Sequence, residues 1–195
     1  MKKILFFGDS NTYGYDPRSY IGERLTKEQR WAGIVDLALS GRAEVLEAGQ
    51  NGRQIPGIPG NEEFVKRFTR VLGCGDIFAV MLGTNDVLLT NRPDADKAID
   101  RMTRLLDFLI EDSSLNHFDI IIIGPPLPSA DYEELAPYRR ECILMNEGYK
   151  ALCSAKGIRF IDSGAWNVPM SYDGVHISVE GHKLFAEYML KELGI

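Results

Sequence analysis

Short apolar runs alternate with segments of helical periodicity along this chain, and this alternation restricts the fold more than any other feature. The run 118–123 (Phe-Asp-Ile-Ile-Ile-Ile) is the clearest, and such runs are typical of strands buried on both faces of a parallel sheet. Strands are predicted at residues 4–7, 43–48, 76–82, 118–123 and 158–161, and helices at 26–40, 62–72, 94–111, 138–155 and 178–193. The pattern predicts an α/β fold in one domain, residues 1–195: a doubly wound, flavodoxin-like three-layer sandwich with a five-stranded parallel sheet.

Composition narrows the classes of partner. The chain has 195 residues, a formal net charge of −6 and an isoelectric point near 5.1. A nucleic-acid surface, which favours clustered Lys and Arg, is therefore not expected. No apolar run approaches the roughly 18 residues needed to cross a membrane, and the run 4–7 is too short for a signal peptide. We expect a cytoplasmic protein with no membrane partner.

The three cysteines are Cys74, Cys142 and Cys153. Their odd number and unpaired spacing predict no disulfide framework, and with scattered histidines they predict no metal site. We expect all three to be small buried residues in a reducing compartment.

The first strand ends abruptly in Gly8-Asp9-Ser10. Ligands of open α/β sheets bind outside the carboxyl ends of the strands, so Ser10 is a candidate nucleophile. A serine in this position is also common as a helix cap or turn residue, and Ser10 alone does not separate the two interpretations.

The far end of the chain supplies a candidate base. Asp173 and His176 are three residues apart, so a helix-like turn places them on one face. The Asp173 carboxylate could then accept the proton of His176 Nδ1 and leave Nε2 to act on a serine. The alternative is a plain Asp173-Gly174 turn followed by a surface histidine.

Taken together, Gly8-Asp9-Ser10, Gly49, the block 83–86 (Gly-Thr-Asn-Asp) and the block 173–176 (Asp-Gly-Val-His) resemble the SGNH hydrolases, also called GDSL-like esterases and lipases. The name-giving Ser, Gly, Asn and His are matched here by Ser10, Gly49, Asn85 and His176, and the resemblance runs from residue 4 to residue 182. The strings around Ser10 and Gly49 look most like the small arylesterase/acyltransferase branch. Two positions depart from the common pattern: Asn11 stands where many relatives have Leu, and Glu47 where many have Asn.

The resemblance implies a metal-free and cofactor-free serine esterase that acts on a small-molecule ester. Ser10, His176 and Asp173 would form the catalytic triad, and the Ser10 N–H, the Gly49 N–H and the Asn85 amide would form the oxyanion hole. The substrate would be a short-chain acyl ester, including aryl esters, with acyl transfer to alcohols. Asn11, Thr84 and Trp166 are candidate substrate contacts, and assembly into a homo-oligomer is a further expectation.

Several roles stay open at this point. Asp9 and Asp86 are expected to fix their loops through backbone N–H groups. Arg53 could meet a polar substrate group or form a surface salt bridge. Aromatic residues in the loops could shape a pocket, pack the loops or form a subunit contact; they are Tyr13, Tyr15, Tyr20, Trp166 and Tyr172.

Other functions remain to be weighed. A carbohydrate or metabolite O-deacetylase of the same family would use the same residues. A nucleotide- or flavin-binding module fits poorly, because the first turn has neither the Gly-x-Gly-x-x-Gly spacing nor a Gly-Lys-Ser/Thr ending. An inactive scaffold is disfavoured by the presence of all four name-giving residue types.

Overall fold

A computed structural model describes residues 1–19, 21–112, 114–115 and 117–194 of the chain. Its centre is a sheet of five parallel strands in the order β2-β1-β3-β4-β5. The strands are β1 (Lys2–Gly8), β2 (Ala43–Gly49), β3 (Ile77–Met81), β4 (Asp119–Gly124) and β5 (Arg159–Asp162). This order is the flavodoxin-like one, so the predicted fold class is confirmed.

Helices cover both faces of the sheet. They are α1 (Ser10–Tyr13), α2 (Trp31–Ala38), α3 (Glu62–Thr69), α4 (Thr84–Leu88), α5 (Ala95–Glu111), α6 (Ala136–Lys156) and α7 (Val179–Leu193), with short 3₁₀ helices at Glu133–Leu135 and Ser163–Trp166. Alternate residues of β1 pack into separate cores: Ile4 and Phe6 lie with α2 and α7, whereas Leu5 and Phe7 lie with α3, α5 and α6. Both faces of β1 are therefore buried, as its apolar run predicts.

Strand order places the candidate site. The chain leaves β1 toward β2 on one side and later returns to β3 on the other side of β1. The segments that follow β1 and β3 consequently separate at their carboxyl ends and leave a crevice, the usual ligand position in such sheets. Ser10 and Asn85 both follow these strand ends.

The structure differs from the sequence-based prediction at several places. Helices α1 and α4 were predicted as loops, because four or five residues are too few to show a helical period. Helix α2 starts only at Trp31, although the sequence predicts a helix from residue 26. The Thr26 N–H donates to Gln29 Oε1 at 3.2 Å, as at a helix N-terminus, but the backbone of Arg30 is extended, so the helix begins after it. Cys74 is exposed, so the expectation of three buried cysteines holds only for Cys142 and Cys153.

Within the described part of the chain, no helix combines the length and apolar character needed to cross a membrane.

Candidate active site

Ser10 is the first residue of α1, directly after the end of β1. Asp9 caps this helix, since its Oδ1 accepts the Asn11 N–H at 2.9 Å, which is the turn-fixing contact expected for Asp9. The turn is tight: a Cβ on Gly8 would lie 2.0 Å from Thr12 Oγ1, so only glycine fits there. Ser10 is 8% exposed, and its hydroxyl is held at the crevice edge by this short helix.

His176 and Asp173 lie on the same side of Ser10. His176 Nε2 is 3.0 Å from Ser10 Oγ, and His176 Nδ1 is 2.6 Å from Asp173 Oδ2. Because an ionised carboxylate can only accept, this contact places the hydrogen on Nδ1 and leaves Nε2 free to accept from the serine hydroxyl. The sequence-predicted triad residues are therefore brought together in the order that nucleophilic catalysis needs.

The loop around Asp173 keeps its carboxylate charged. Its Oδ1 accepts the N–H groups of Val175 and His176, both at 3.0 Å. Burial raises the pKa of Asp173, but the hydrogen bonds from the His176 side chain and from the two backbone N–H groups outweigh burial, so the pKa is lowered overall. The Tyr15 ring lies against the His176 ring, with centroids 4.7 Å apart.

Asn85 approaches from the end of β3. Gly83, with a φ of +127°, starts α4, and Asn85 is the second residue of that helix. Asn85 Nδ2 donates to the backbone oxygen of Arg53 at 3.0 Å. This bond fixes the amide while using only one of its two N–H groups, which leaves the other available to a ligand.

Two glycines flank the turn that follows β2: Gly49 is the last residue of the strand, and Gly52 comes three residues later. We call the segment 49–52 the second turn. At Gly49, a Cβ would lie 2.2 Å from the Tyr13 backbone nitrogen, so the absence of a side chain there lets α1 pack on β2. The Gln50 N–H donates to Gly8 O at 3.1 Å, toward β1. Because successive N–H groups of a strand point to opposite sides, the Gly49 N–H is directed away from β1. Gly52, with a φ of +71°, sits one residue before the oxygen that Asn85 binds.

Arg53 is buried beneath this turn and is 8% exposed, and it forms no salt bridge with any residue that the structure describes, unlike the surface pair weighed from the sequence. Its Nη1 donates to Gly8 O at 2.9 Å and also to Ala48 O, which ties the carboxyl ends of β1 and β2 together. The guanidinium also lies 4.3 Å from the centroid of the Phe7 ring. Burial lowers the pKa of Arg53 to about 10, with the Asp9 charge opposing that shift.

Asp86 is a buried carboxylate whose partners come from other segments. Its Oδ2 accepts the Ile55 N–H at 3.0 Å, and its Oδ1 pairs with Arg101 of α5 at 2.8 Å. Arg101 also donates to the Ile55 oxygen. Asp86 thus holds the chain after the second turn rather than its own loop, which corrects the expectation drawn from the sequence. Burial raises the pKa of Asp86 to about 6, although the Ile55 N–H and Arg101 oppose the rise.

The three candidate substrate contacts lie in different surroundings. The Asn11 side chain is buried and bonded to the backbone of Val175 and Ile177, on either side of His176. Thr84 is 4% exposed, and no described residue bonds its hydroxyl. Trp166 packs against Phe185 of α7 at a ring separation of 4.9 Å. Asn11 is therefore occupied in holding the chain, whereas substrate contacts by Thr84 and Trp166 stay predictions.

The aromatic residues of the loops also make different kinds of contact. Tyr13 lies under the Arg24 guanidinium, 4.8 Å from its ring centroid, and Tyr172 donates from its hydroxyl to Pro17 O at 2.6 Å. Tyr15 lies against the His176 ring. Tyr20 lies outside the described residues.

Glu47, where the sequence departs from the common family pattern, is the centre of an ion-pair cluster. Its two carboxylate oxygens each lie 2.7 Å from an Arg30 nitrogen, and Arg24 Nη2 lies 2.6 Å from Oε2. The cluster fastens the loop between α1 and α2 to β2. No group of three or more His, Cys, Asp or Glu side chains is arranged as metal ligands in the described ranges.

Comparison with known proteins identifies the family of the chain. A sequence model of the GDSL-like lipase/acylhydrolase family matches residues 6–184. No curated protein sequence matches the chain.

Solved structures share the whole fold. The native aryl esterase of M. smegmatis is 21% identical with a TM-score of 0.82, over 100% of this chain and 99% of that one. Est24, a carbohydrate acetylesterase from Sinorhizobium meliloti, is 20% identical with a TM-score of 0.81 and the same coverages. A putative arylesterase from Agrobacterium tumefaciens is 26% identical with a TM-score of 0.79, again over 100% and 99%. The chain belongs to the GDSL-like lipase/acylhydrolase family and is a carboxylic ester hydrolase.

Proposed function

We propose that this chain is a serine esterase that hydrolyses short-chain acyl esters, aryl esters among them, through Ser10, His176 and Asp173. The observation that carries the proposal is the continuous chain of contacts from Ser10 Oγ to His176 Nε2 at 3.0 Å and from His176 Nδ1 to Asp173 Oδ2 at 2.6 Å. The mechanism that follows uses protein groups alone.

In the first half of the reaction, Ser10 Oγ attacks the ester carbonyl while its proton passes to His176 Nε2. Asp173, whose pKa is lowered, stays ionised and stabilises the imidazolium. The tetrahedral intermediate collapses, the leaving oxygen takes the proton from Nε2, and Ser10 is left acylated. Water then attacks the acyl carbon and gives its proton to His176 Nε2. The second tetrahedral intermediate collapses, Ser10 Oγ takes the proton back from Nε2, and the acid is released; an alcohol in place of water yields a new ester.

The oxyanion would be bound by the Ser10 N–H, by the free N–H of Asn85 Nδ2 and by a backbone N–H of the second turn. We propose Gly52 as that third donor in place of Gly49. The Gly49 N–H is directed away from β1, whereas Gly52 lies beside the Arg53 oxygen to which Asn85 is bonded. Donors placed before the reaction need no reorganisation when charge develops, which makes them effective.

A short acyl group is favoured by the surroundings of the nucleophile. Ser10 is 8% exposed, and the Tyr15 ring closes over His176 at 4.7 Å. An acyl group must pass the Tyr15 ring to reach Ser10 Oγ, so a bulky group beside the carbonyl carbon should lower the rate. Deacetylation of a carbohydrate or another metabolite, the second candidate, is a narrower form of the same reaction.

The test is hydrolysis of p-nitrophenyl esters from acetate to octanoate by the wild-type protein and by Ser10→Ala. We expect the highest kcat/KM with acetate or butyrate and no measurable turnover in the variant. Acetylated sugars assayed alongside distinguish the deacetylase, for which they would be the better substrates. Full activity of Ser10→Ala would overturn the mechanism.

A further inference from the structure

We propose that Asn11 is a positioning residue that clamps the His176 segment onto the helix carrying Ser10. This inference rests on the roles proposed above for Ser10 and His176. Asn11 Oδ1 accepts the Ile177 N–H at 2.9 Å, and Asn11 Nδ2 donates to Val175 O at 3.2 Å. One side chain therefore bonds the backbone on both sides of the base, from the residue next to the nucleophile.

The clamp engages one carbonyl group and one N–H group of the His176 segment. A side-chain amide has both an acceptor and a donor, so Asn11 can bond the Val175 oxygen and the Ile177 N–H together. On the opposite side, the Ser171 N–H donates to His176 O at 2.6 Å, and the Ser178 N–H donates to Pro169 O at 3.0 Å. The His176 segment is thus bonded along both edges.

Asn11 is itself anchored from other directions. Its N–H donates to Asp9 Oδ1 at 2.9 Å, and its oxygen accepts Trp31 Nε1 at 2.9 Å. The Trp31 backbone N–H in turn donates to His182 Nδ1 at 3.2 Å. Because His182 and Trp31 are fully buried, the clamp connects to the core beneath α2 and α7 rather than to a mobile surface.

The consequence is a fixed separation between nucleophile and base. Asp173 orients the His176 ring from within its own loop, but it cannot set where that loop lies relative to α1. Asn11 supplies this contact, and it spans more than 160 positions of sequence. A leucine fills a similar volume at this position without either bond, so Asn11→Leu isolates the clamp from simple packing.

The experiment compares kcat/KM for p-nitrophenyl acetate and for ethyl acetate in the wild type, Asn11→Leu and Asn11→Asp. The nitrophenolate leaves without a proton, whereas ethanol must receive one from His176, so a displaced base affects ethyl acetate more. We expect Asn11→Leu to lose about 10-fold on the aryl ester and about 100-fold on the alkyl ester. Asn11→Asp, which keeps the acceptor for Ile177 but loses the donor, should lose less on both than Asn11→Leu.

The control and the second readout separate this role from general stability. Asn61→Leu removes an exposed side-chain bond of 2.8 Å from Asn61 Nδ2 to Gly57 O, just before α3, and should leave both kcat/KM values within about 2-fold of wild type. By proton NMR, the downfield His176 Nδ1–H signal should broaden or shift in Asn11→Leu but not in Asn61→Leu. Equal losses on the two esters, or an unchanged His176 signal, would overturn the clamp. An active Ser10→Ala run in parallel would instead overturn the serine mechanism, and the NMR comparison would still decide the clamp.

Discussion

Asp173 and His176 lie three residues apart in one loop, whereas the groups on the other side of Ser10 come from separate stretches of the chain. We call the loop 173–176 the base side, and the second turn with Asn85 the oxyanion side. The base side is organised by bonds within the loop, from Asp173 to its own neighbours. The oxyanion side is assembled by buried charged groups, Arg53 beneath the strand ends and the Asp86–Arg101 pair.

This difference predicts how substitutions on each side should affect the reaction rate and the stability of the fold. A local loop keeps its internal geometry even when its surroundings relax, so substitutions on the base side should act mainly on rate. Buried charges stabilise only while their partners remain in place, and an unpaired buried group costs considerable free energy. Substitutions among the groups supporting the oxyanion side should therefore lower both rate and stability.

The largest effect is expected from the base side. Asp173→Asn should lower kcat by about 10⁴-fold, because the amide cannot hold His176 in the required tautomer or stabilise the imidazolium. The midpoint of urea unfolding at neutral pH should fall only modestly, because the lowered pKa of the half-buried Asp173 means that its charge stabilises the fold there. Steady-state kinetics and urea titration of the same preparation check both statements. A loss below 10-fold would remove Asp173 from the triad.

The next effect belongs to the oxyanion side. Asn85→Ala removes one proposed donor and should lower kcat by about 10²–10³-fold, with a small change in KM, because the donor acts mainly in the transition state. It also frees the Arg53 oxygen, so a modest loss of stability should accompany the loss of rate. An increase in KM with an unchanged kcat would show instead that Asn85 binds the substrate in its ground state.

Asp9 lies between the two sides, where its charge acts on both His176 and Arg53. Burial raises the pKa of Asp9 from 3.8 to about 6, against the Asn11 N–H and the His176 charge. Between pH 4 and pH 6, Asp9 therefore keeps its proton in the folded protein but loses it in the unfolded chain. Because the unfolded state binds fewer protons there, the contribution of Asp9 to the free energy of unfolding falls as the pH rises through this range. Asp9→Asn removes the ionisation.

Urea unfolding of the wild type and of Asp9→Asn at pH 4, 5, 6 and 7 measures this contribution. The variant should gain stability relative to the wild type as the pH rises, by about 3 kcal/mol at most over the series. A difference that stays constant from pH 4 to pH 7 would show that Asp9 titrates alike in the folded and unfolded states.

The smallest effect concerns the support of the oxyanion side. Arg101→Met leaves Asp86, which is 4% exposed, without its charged partner and should lower the free energy of unfolding by about 1–3 kcal/mol. Lys97→Met on the same helix breaks an exposed pair with Asp94 at 3.3 Å and should cost about 0–1 kcal/mol. Equal costs for the two variants would contradict the view that buried charge holds this side together.

The same contrast explains what the sequence could predict. The fold followed from the alternation of strands and helices, and Ser10 was a candidate because it follows a strand end, where open α/β sheets bind ligands. The role of Asn85 was implied only by the resemblance to the SGNH hydrolases. The Asp173–His176 contact was accessible because it is local. Local spacing could not identify the partners of Arg53, Asp86 and Asn11, since each bonds residues brought near only by folding. Gly49 shows the related limit: its place in the sequence is clear, but the direction of its N–H depends on strand register.

The central claim is that Ser10 becomes covalently modified with the help of His176, and labelling with a fluorophosphonate tests it most directly. The reagent phosphonylates an activated serine and needs no knowledge of the natural substrate. The account predicts one adduct by intact-mass analysis, located on Ser10 by peptide mapping, absent in Ser10→Ala and formed far more slowly in His176→Ala. An adduct on another residue that abolishes ester hydrolysis, or equal labelling rates in wild type and His176→Ala, would contradict it.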